Sequence, residues 1–286
     1  MAASMNLPTL DIPAILRQYD LNLKKSLGQN FLSQPSVLEK IVAAADLPHD
    51  AEVLEIGPGL GTLTRHLAIH ARRVVAVEID QRFIPILQDL LADFKNVDIL
   101  HGDIMEANIS EIIESSGYYV VANIPYYITS ALLKHLLEAQ KKPSKIVLTV
   151  QKEVAERICA EEGDMSLLAL SVQVYGRPQK VLTIPAGAFY PPPTIDSTVV
   201  AVDLYPQPVI PFQNLKPFFQ LAKAGFSQKR KTLRNSISAG MRLKPAQAED
   251  LLRQAEIDPQ RRAETLALAE WRVLTSVYLE QLNKEG

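Results

Sequence analysis

Apolar runs of strand length alternate with amphipathic runs of helix length between about residue 36 and residue 160. Such alternation is typical of consecutive βαβ units, whose strands lie side by side in one parallel sheet. The chain is therefore expected to form an α/β domain built on a parallel sheet. The strand-length runs are AEVLEIG (51–57), RVVAVEID (73–80), NVDILHGD (96–103), YYVVANIP (118–125) and KIVLTVQ (145–151).

Two later strand-like runs extend this pattern. QKVLTIPAG (179–187) and STVVAVDLY (197–205) are separated only by the short link AFYPPPTID (188–196). A link of this length suits an antiparallel pair at a sheet edge. After the linker-like YPQPVIP (205–211) nearly every run has helical spacing, so we expect two domains, at residues 1–207 and 208–286.

Composition excludes several classes of protein. With 286 residues and 47% hydrophobic content, the chain can bury a sizeable core. No run approaches the roughly 18 apolar residues of a membrane span, and the N-terminal residues do not resemble a signal peptide, so a cytoplasmic protein without membrane contact is expected. Cys159 is the only cysteine, which rules out an internal disulfide and a cysteine-based metal site. We expect no metal.

The charge is unevenly distributed along the chain. Residues 1–207 carry 17 Lys and Arg against 24 Asp and Glu, whereas residues 208–286 carry 13 against 8. The net charges of −7 and +5 account for the total of −2. A basic module on an acidic body suggests a polyanionic partner, although the same charges could form a solvated surface.

The turn after the first strand contains a glycine motif. In LEIGPGLGTL (54–63), Gly57 and Gly59 separate the strand from a helix, which lets a ligand approach the backbone beside the helix N-terminus. Glu78 ends the next strand, where a carboxylate can accept ribose hydroxyls, and Asp103 ends the third. The spacing is not that of dinucleotide-binding proteins. The alternative is a tight turn with helix caps at Asp80 and Asp103, but the combination favours a nucleoside cofactor.

The fourth strand ends in Asn-Ile-Pro-Tyr, residues 123–126. This stretch resembles the signature of S-adenosylmethionine-dependent methyltransferases that modify amino groups of nucleobases. The Asn123 oxygen and a carbonyl beside Pro125 could accept the two hydrogens of an exocyclic amine, and Tyr126 could stack on the base. Tyr127 has no assigned role, and packing is the default expectation.

Seven segments together make the resemblance specific. The chain is similar to the bacterial small-subunit ribosomal RNA adenine dimethyltransferases over about residues 20–280. The segments are KKSLGQNFL, LEIGPGLGTLT, VVAVEID, GDI, NIPYYITS, AFYPPPTIDSTVV and GFSQKRKTLRNS. The resemblance implies a Rossmann-like methyltransferase fold with a seven-stranded, mostly parallel sheet, an antiparallel edge strand and a small all-helical C-terminal domain that binds RNA. It also implies dimethylation of N6 on two adjacent adenosines near the 3′ end of 16S rRNA, during assembly of the small subunit.

The resemblance assigns roles to individual positions. The expected catalytic residues are Asn123, Ile124, Pro125, Tyr126 and Phe189, which would clamp the flipped adenine opposite Tyr126. The expected contacts of S-adenosylmethionine are Asn30, Leu32, Gly57, Gly59, Glu78, Ile79, Asp103, Ile104 and Asn123. The expected RNA contacts are Lys24, Lys25, Lys223, Lys229, Arg230, Lys231 and Arg234, with Lys229 to Arg234 on an early helix of the second domain. We expect a monomer. One departure from the family is Met165-Ser166, where a Tyr-Gly pair is common.

Three other functions remain open. A related enzyme could act on large-subunit rRNA or on DNA adenine, although the complete KRKTLRNS segment favours the small-subunit substrate. The same fold could serve as a non-catalytic assembly or transcription factor, but the intact Asn123, Pro125 and Tyr126 argue against pure binding. A nicotinamide dehydrogenase is disfavoured by the glycine spacing.

Overall fold

The structure, a computed structural model, describes residues 7–24 and 27–285. The chain divides into two compact units, Met1–Ala155 with Gln179–Leu204, and Glu156–Pro178 with Tyr205–Gly286. The sequence predicted a single boundary after residue 207, whereas the second unit also includes the segment Glu156–Pro178. Backbone bonds explain the difference, because the amides of Gly163 and Met165 both donate to the carbonyl of Glu264.

The first unit is built on a seven-stranded sheet. The strands in chain order are β1 (Phe31–Leu32), β2 (Glu52–Ile56), β3 (Arg73–Glu78), β4 (Val97–His101), β5 (Tyr119–Asn123), β6 (Lys145–Gln151), β7 (Gly176–Ile184), β8 (Phe189–Tyr190) and β9 (Ser197–Leu204). Seven of these strands form the main sheet, in the order β4-β3-β2-β5-β6-β9-β7, and β1 pairs with β8 in a separate two-stranded sheet. Strands β2 to β6 pair in parallel and β9 is antiparallel to β6, which confirms the predicted fold class.

Six helices of the first unit connect these strands or precede them in the described residues. They are α1 (Ile12–Gln18), α2 (Pro35–Ala45), α3 (Thr62–His70), α4 (Ile84–Leu90), α5 (Ile109–Ile112) and α6 (Thr129–Glu138). Helix α1 starts where the Asp11 carboxylate accepts from the amide of Ala14 at 3.0 Å. Its apolar side chains pack with α4, whereas α2 and α3 cover Val53 and Val74 on the sheet. Helix α7 (Lys152–Ile158) runs across the division between the units.

The second unit is mainly helical. Its remaining helices are α8 (Leu167–Gln173), α9 (Leu215–Phe226), α10 (Leu233–Met241), α11 (Pro245–Gln254) and α12 (Leu268–Glu285). Trp271 is fully buried and stacks on Phe226, with ring centroids 5.8 Å apart. At the Met165-Ser166 departure, Met165 is buried and the Ser166 hydroxyl accepts from the amide of Ala169 at 3.1 Å, which caps α8. The two residues therefore have local structural roles.

No helix within residues 7–24 and 27–285 combines the length and the apolar character that crossing a bilayer requires.

Candidate active site

The order of the sheet brings four strand ends together. The connection from β2 runs to β3 on one side, and β5 pairs with β2 on the other, so the strand order reverses at β2. Ligands of such sheets bind at the carboxyl ends of the strands beside this reversal. The glycine turn, Glu78, Asp103 and Asn123 all follow or end strands at this edge.

The glycine turn after β2 requires glycine for conformation and for space. Gly59 has φ +60°, and a Cβ at this position would lie 2.6 Å from a ring carbon of Phe31. Its amide donates to Oε2 of Glu78 at 3.0 Å. The turn is therefore packed against the segment preceding α2 and bonded to the end of β3.

Glu78 is held as an acceptor at the end of β3. The side chain is buried, and its second oxygen accepts from the amide of Asp80 at 2.8 Å. Burial raises the pKa of Glu78, while the backbone amides of Asp80 and Gly59 oppose that rise. A carboxylate offers about four acceptor positions, so two fixed amides leave capacity for a ligand's hydroxyls. This arrangement fits a ribose.

Asp103 combines two functions that the sequence left as alternatives. Its carboxylate accepts from the amide of Met105 at 2.9 Å, which is the local turn or cap. The same half-buried residue also lines the cavity at the strand ends, together with the exposed Ile79 and the buried Ile104. Two apolar side chains and a carboxylate suit a purine ring with an amino group.

The side chain of Asn123 has a defined orientation. Its nitrogen donates to the backbone carbonyl of Asn30 at 2.9 Å. Because a carbonyl can only accept, the amide nitrogen must face Asn30 and the amide oxygen must point elsewhere. Asn123 lines the cavity, so this oxygen is an acceptor at the cavity wall.

Tyr126 is fixed through its hydroxyl. The hydroxyl lies 2.6 Å from Oγ of the fully buried Ser197 on β9. Burial raises the pKa of Tyr126, and the bond to Ser197 opposes that rise. Tyr127 differs from the expectation of packing, because it is 66% exposed while lining the same cavity. Tyr126 and Tyr127 are consecutive in a 3₁₀ turn, Tyr126–Ile128, where neighbouring side chains point about 120° apart, so one tyrosine is directed inwards and the other outwards.

Residues 27–32, which we call the N-terminal strap, are bonded on both sides of the cavity. Gln29 donates to Asp80 at 2.9 Å. Gly28 packs closely on Pro125, since a Cβ added to the glycine would lie 3.2 Å from that of the proline. The strap therefore links the end of β3 with the loop after β5, and its Asn30 and Leu32 line the cavity between them.

Asp80 is the anchor of this strap. The guanidinium of Arg82 donates to both of its oxygens, at 2.9 and 2.6 Å, and also donates to the carbonyl of Asn22 at 2.9 Å. These bonds hold the pKa of the buried Asp80 carboxyl well below its usual range, with the Gln29 bond contributing. Lys24 lies 3.9 Å from the same carboxylate with half of its side chain exposed.

The structure gathers the predicted cofactor residues in one cavity, and four of the predicted catalytic residues with them. The lining includes Asn30, Leu32, Gly57, Gly59, Glu78, Ile79, Asp103, Ile104, Asn123, Ile124, Pro125 and Tyr126. The same cavity contains Glu55, which sequence analysis did not single out. The missed signal was an acidic residue within the apolar run of a buried strand.

Phe189 departs from the expected arrangement. The ring is 4% exposed, belongs to the core that includes Leu32, and is not part of the cavity lining in the described residues. The reason is the strand alternation of β8, which directs Phe189 into the core and leaves Tyr190 40% exposed. The phenylalanine therefore does not face Tyr126 across the cavity here.

The predicted RNA-binding residues fall into different settings. Lys223, Lys229, Arg230 and Lys231 are exposed, whereas Arg234 is half-buried and paired with Glu249 at 3.4 Å. Lys229 to Lys231 lie on the turn between α9 and α10 and not on a helix, because α9 ends at Phe226 and the amide of Lys231 bonds back to Gln228. Lys25 lies outside the described residues.

No group of three His, Cys, Asp or Glu side chains that could hold a metal ion occurs within the described ranges. The doubly wound sheet with its antiparallel edge and the cavity at the strand ends together define a Rossmann-like methyltransferase.

Comparison with known proteins specifies the family. The ribosomal RNA adenine dimethylase model matches residues 20–275. A ribosomal RNA small subunit methyltransferase A from Dehalococcoides mccartyi is 45% identical over 267 residues, which cover 93% of this chain and 92% of the relative. The Staphylococcus aureus protein of that name is 43% identical over 268 residues, covering 90% of each chain. The chain belongs to the ribosomal RNA adenine dimethylase family and is an rRNA methyltransferase.

Solved structures agree with this assignment. A dimethyladenosine transferase from Plasmodium falciparum is 26% identical, with a TM-score of 0.74, over 90% of this chain and 98% of that one. The 23S rRNA methyltransferase ErmE is also 26% identical, with a TM-score of 0.72, over 87% of this chain and 99% of that one.

Proposed function

We propose that the protein transfers methyl groups from S-adenosylmethionine to N6 of two adjacent adenosines near the 3′ end of 16S rRNA, giving N6,N6-dimethyladenosine in the assembling small subunit. The observation that carries this proposal is the fixed orientation of Asn123, whose amide oxygen is an acceptor at the end of β5. The full-length similarity to small-subunit methyltransferases supports the choice of substrate.

The cofactor is held by residues from four strand ends and the N-terminal strap. Glu78 accepts the ribose hydroxyls, since its carboxylate is fixed by the amides of Gly59 and Asp80. Asp103 accepts from the adenine amino group, with Ile79 and Ile104 against the ring. Asn30 and Leu32 close the cavity from the strap. When bound, the cofactor supplies a methyl group that is already activated by its attachment to a sulfonium.

Orientation of the amine is the main task of the remaining residues. The lone pair of adenine N6 is delocalised into the ring, so the amine reacts only when its hydrogens are held and its lone pair is directed at the methyl carbon. The oxygen of Asn123 and a backbone carbonyl beside Pro125 accept these two hydrogens. Ile124 is buried and fixes the position of its neighbours. A strong base is not needed, because the proton leaves after the nitrogen has become cationic.

Tyr126 supports the adenine ring. Its bond to Ser197 anchors the hydroxyl end of the ring before substrate arrives. Stacking of a base on an aromatic side chain contributes roughly 1–3 kcal/mol, which offsets much of the cost of taking the adenine out of its helical stack. Phe189, being buried beside Leu32, holds the link that contains it and does not clamp the base in this conformation.

RNA binding is assigned to exposed lysines and arginines of both units. The turn residues Lys229, Arg230 and Lys231, with Lys223, form the basic surface of the second unit and neutralise phosphates. Arg234 contributes less, since Glu249 already pairs with it. Lys24 and Lys25 supply further contacts from the segment before the strap. We further propose that the protein acts as a monomer in the cytoplasm.

The deciding experiment supplies labelled S-adenosylmethionine to the full-length protein with small subunits that lack these methyl groups. Label is expected in N6,N6-dimethyladenosine of 16S rRNA, at two methyl groups per adenosine. Small subunits that are already methylated provide the matched control and should accept none. Transfer to 23S rRNA or to DNA instead would assign the substrate of the related enzymes, and absence of transfer would favour a binding protein.

A further inference from the structure

Glu55 is a buried carboxyl group at the wall of the candidate active site. It is the fourth of the five residues of β2, is 2% exposed and lines the cavity that contains Glu78 and Asn123. Its Oε2 has no hydrogen-bond partner within the described residues. A carboxylate in such surroundings is costly, so the group retains its proton unless a cation enters.

Glu55 and Glu78 are adjacent but differ in their surroundings. Glu55 pairs with Ala76 in the parallel register, so Glu78, two residues further along β3, lies on the same face of the sheet. Glu78 accepts two backbone amides, whereas no amide bonds to the free oxygen of Glu55. The charge of Glu78 raises the pKa of Glu55, so the two carboxyl groups do not both ionise readily. This favours a charged Glu78 beside a neutral Glu55.

The other packed elements add no compensating charge. Helix α3 presents the Thr64 hydroxyl, while the guanidinium of the neighbouring Arg65 donates to the carbonyl of Pro8. Helix α2 contributes Leu38 to the cavity, and its Glu39 and Lys40 are exposed. The strap and β5 contribute uncharged residues to the cavity, and the turn after β4 contributes Asp103, a further carboxyl group and not a cation. Burial, opposed by Thr64 and reinforced by Glu78, raises the pKa of Glu55 to about 8.

We propose that Glu55 couples binding of the methyl donor to release of a proton, so that the site distinguishes S-adenosylmethionine from the spent cofactor by charge. This inference rests on the proposed function. The donor carries a sulfonium and an ammonium against one carboxylate, whereas the product has lost the sulfonium charge. The donor's extra positive charge stabilises the ionised form of Glu55, and the O–H proton passes to the buffer. The carboxyl recovers its proton when the donor has been converted and leaves.

Two consequences follow from this coupling. Affinity for the donor increases with pH up to about pH 8 and then levels off, with a slope approaching one decade per pH unit. Affinity for the product changes less over the same range. A more alkaline medium therefore favours exchange of product for fresh donor.

Titration calorimetry of the full-length protein tests the coupling, using buffers of different ionisation enthalpy at one pH. At pH 7, binding of S-adenosylmethionine should release close to one proton, and binding of S-adenosylhomocysteine clearly fewer. Near pH 9 the release should nearly disappear. This comparison needs no substitution, so it does not depend on the folding of a variant.

Two variants assign the proton to a residue. Glu55→Gln should bind the donor without proton release, with a flat pH dependence. Glu52→Gln, on the same strand but outside the cavity lining, should release as many protons as the original protein. Donor binding without proton release, or undiminished release from Glu55→Gln, would overturn this proposal alone. Failure to bind S-adenosylmethionine at all would overturn both it and the proposed function.

Discussion

The side-chain nitrogen of Asn123 and the backbone carbonyl of Asn30 are joined by a hydrogen bond of 2.9 Å, although the residues are 93 positions apart. The bond turns the side-chain nitrogen of Asn123 towards the strap, so the amide oxygen, an acceptor, points away from Asn30. The strap thereby makes an acceptor oxygen the group that Asn123 presents at the methyl-transfer point.

Asn123→Ala should reduce the rate of methyl transfer by at least about 100-fold, because the amine loses an acceptor and its orientation. Single-turnover assays with saturating RNA and cofactor measure this loss. RNA binding should remain within about twofold, since the residue is remote in sequence from the basic turn. Asn123→Asp should be similarly inactive, because a carboxylate cannot donate to the Asn30 carbonyl. Full activity of Asn123→Ala would exclude the acceptor function, and full activity of Asn123→Asp would exclude a need for the bond to Asn30.

The contributions of the Tyr126 ring and of the Tyr126 hydroxyl to catalysis can be measured separately. Tyr126→Ala should lower kcat/KM by roughly 5- to 150-fold, as expected for the loss of about 1–3 kcal/mol of base stacking. Tyr126→Phe keeps the ring and loses only the bond to Ser197, so a reduction below about tenfold is expected. Equal losses in the two variants would show that the hydroxyl, and not the aromatic face, is the important group.

Asp80→Ala should loosen the N-terminal strap and leave the residues that line the cavity unchanged. Gln29 and Arg82 lose their shared acceptor, so the Kd for S-adenosylmethionine should rise about tenfold and residues 20–32 should become more sensitive to limited proteolysis. Asp89→Ala is the matched control, because the Asp89 carboxylate accepts from the hydroxyl of Tyr19, after α1, and from no other side chain in the described part of the protein. If both variants bind the cofactor normally, the strap does not depend on Asp80.

The free energy of unfolding of the ligand-free protein should depend on pH through the ionisation of Glu55. The native state holds this proton to about pH 8, whereas the unfolded chain loses it near pH 4.5. The contribution of Glu55 to the free energy of unfolding is therefore complete below about pH 4.5 and is lost as pH rises through about 8. Chemical denaturation at intervals from pH 5 to 9 should show a steeper decline for the original protein than for Glu55→Gln. Parallel curves would contradict a protonated native Glu55.

Replacing the basic turn should alter the salt dependence of RNA binding. Lys229→Ala combined with Arg230→Ala should weaken binding and reduce the slope of log K against log salt by about 0.7 for each phosphate that is no longer neutralised. Filter binding with a 16S fragment between low and moderate salt measures the slope. Lys40→Ala, at an exposed site of α2, should leave it unchanged. An unaltered slope in the double variant would remove the turn from the RNA interface.

Much of the fold was predictable because its signals are long and repeated. The five parallel strands are continuous apolar runs separated by helical spacing, and they were found where the sequence placed them. The cavity followed from one topological rule, since the carboxyl ends of parallel strands meet at one edge. Residues such as Glu78 and Asn123 could therefore be grouped without knowing any distance.

The features that sequence analysis missed depend on contacts between distant segments. Strands β1 and β8 have two residues each, which is too short for any periodic signal, and their pairing determined which way Phe189 faces. The extension of the second unit back to residue 156 depends on amide bonds to Glu264. Glu55 was overlooked, although it lies within the segment LEIGPGLGTL, because its burial and the lack of a bond to its Oε2 among the described residues depend on the folded structure.

The pairing of β1 with β8 places Leu32 opposite Phe189 and Phe31 opposite Tyr190. The N-terminal strap and the link that contains Phe189 are consequently joined by backbone pairing and are expected to move together. An engineer who varies the link to admit another nucleobase would also shift Asn30 and, through it, Asn123. Altered specificity is better sought at the exposed Tyr127, which borders the cavity and does not belong to the paired strands β1 and β8.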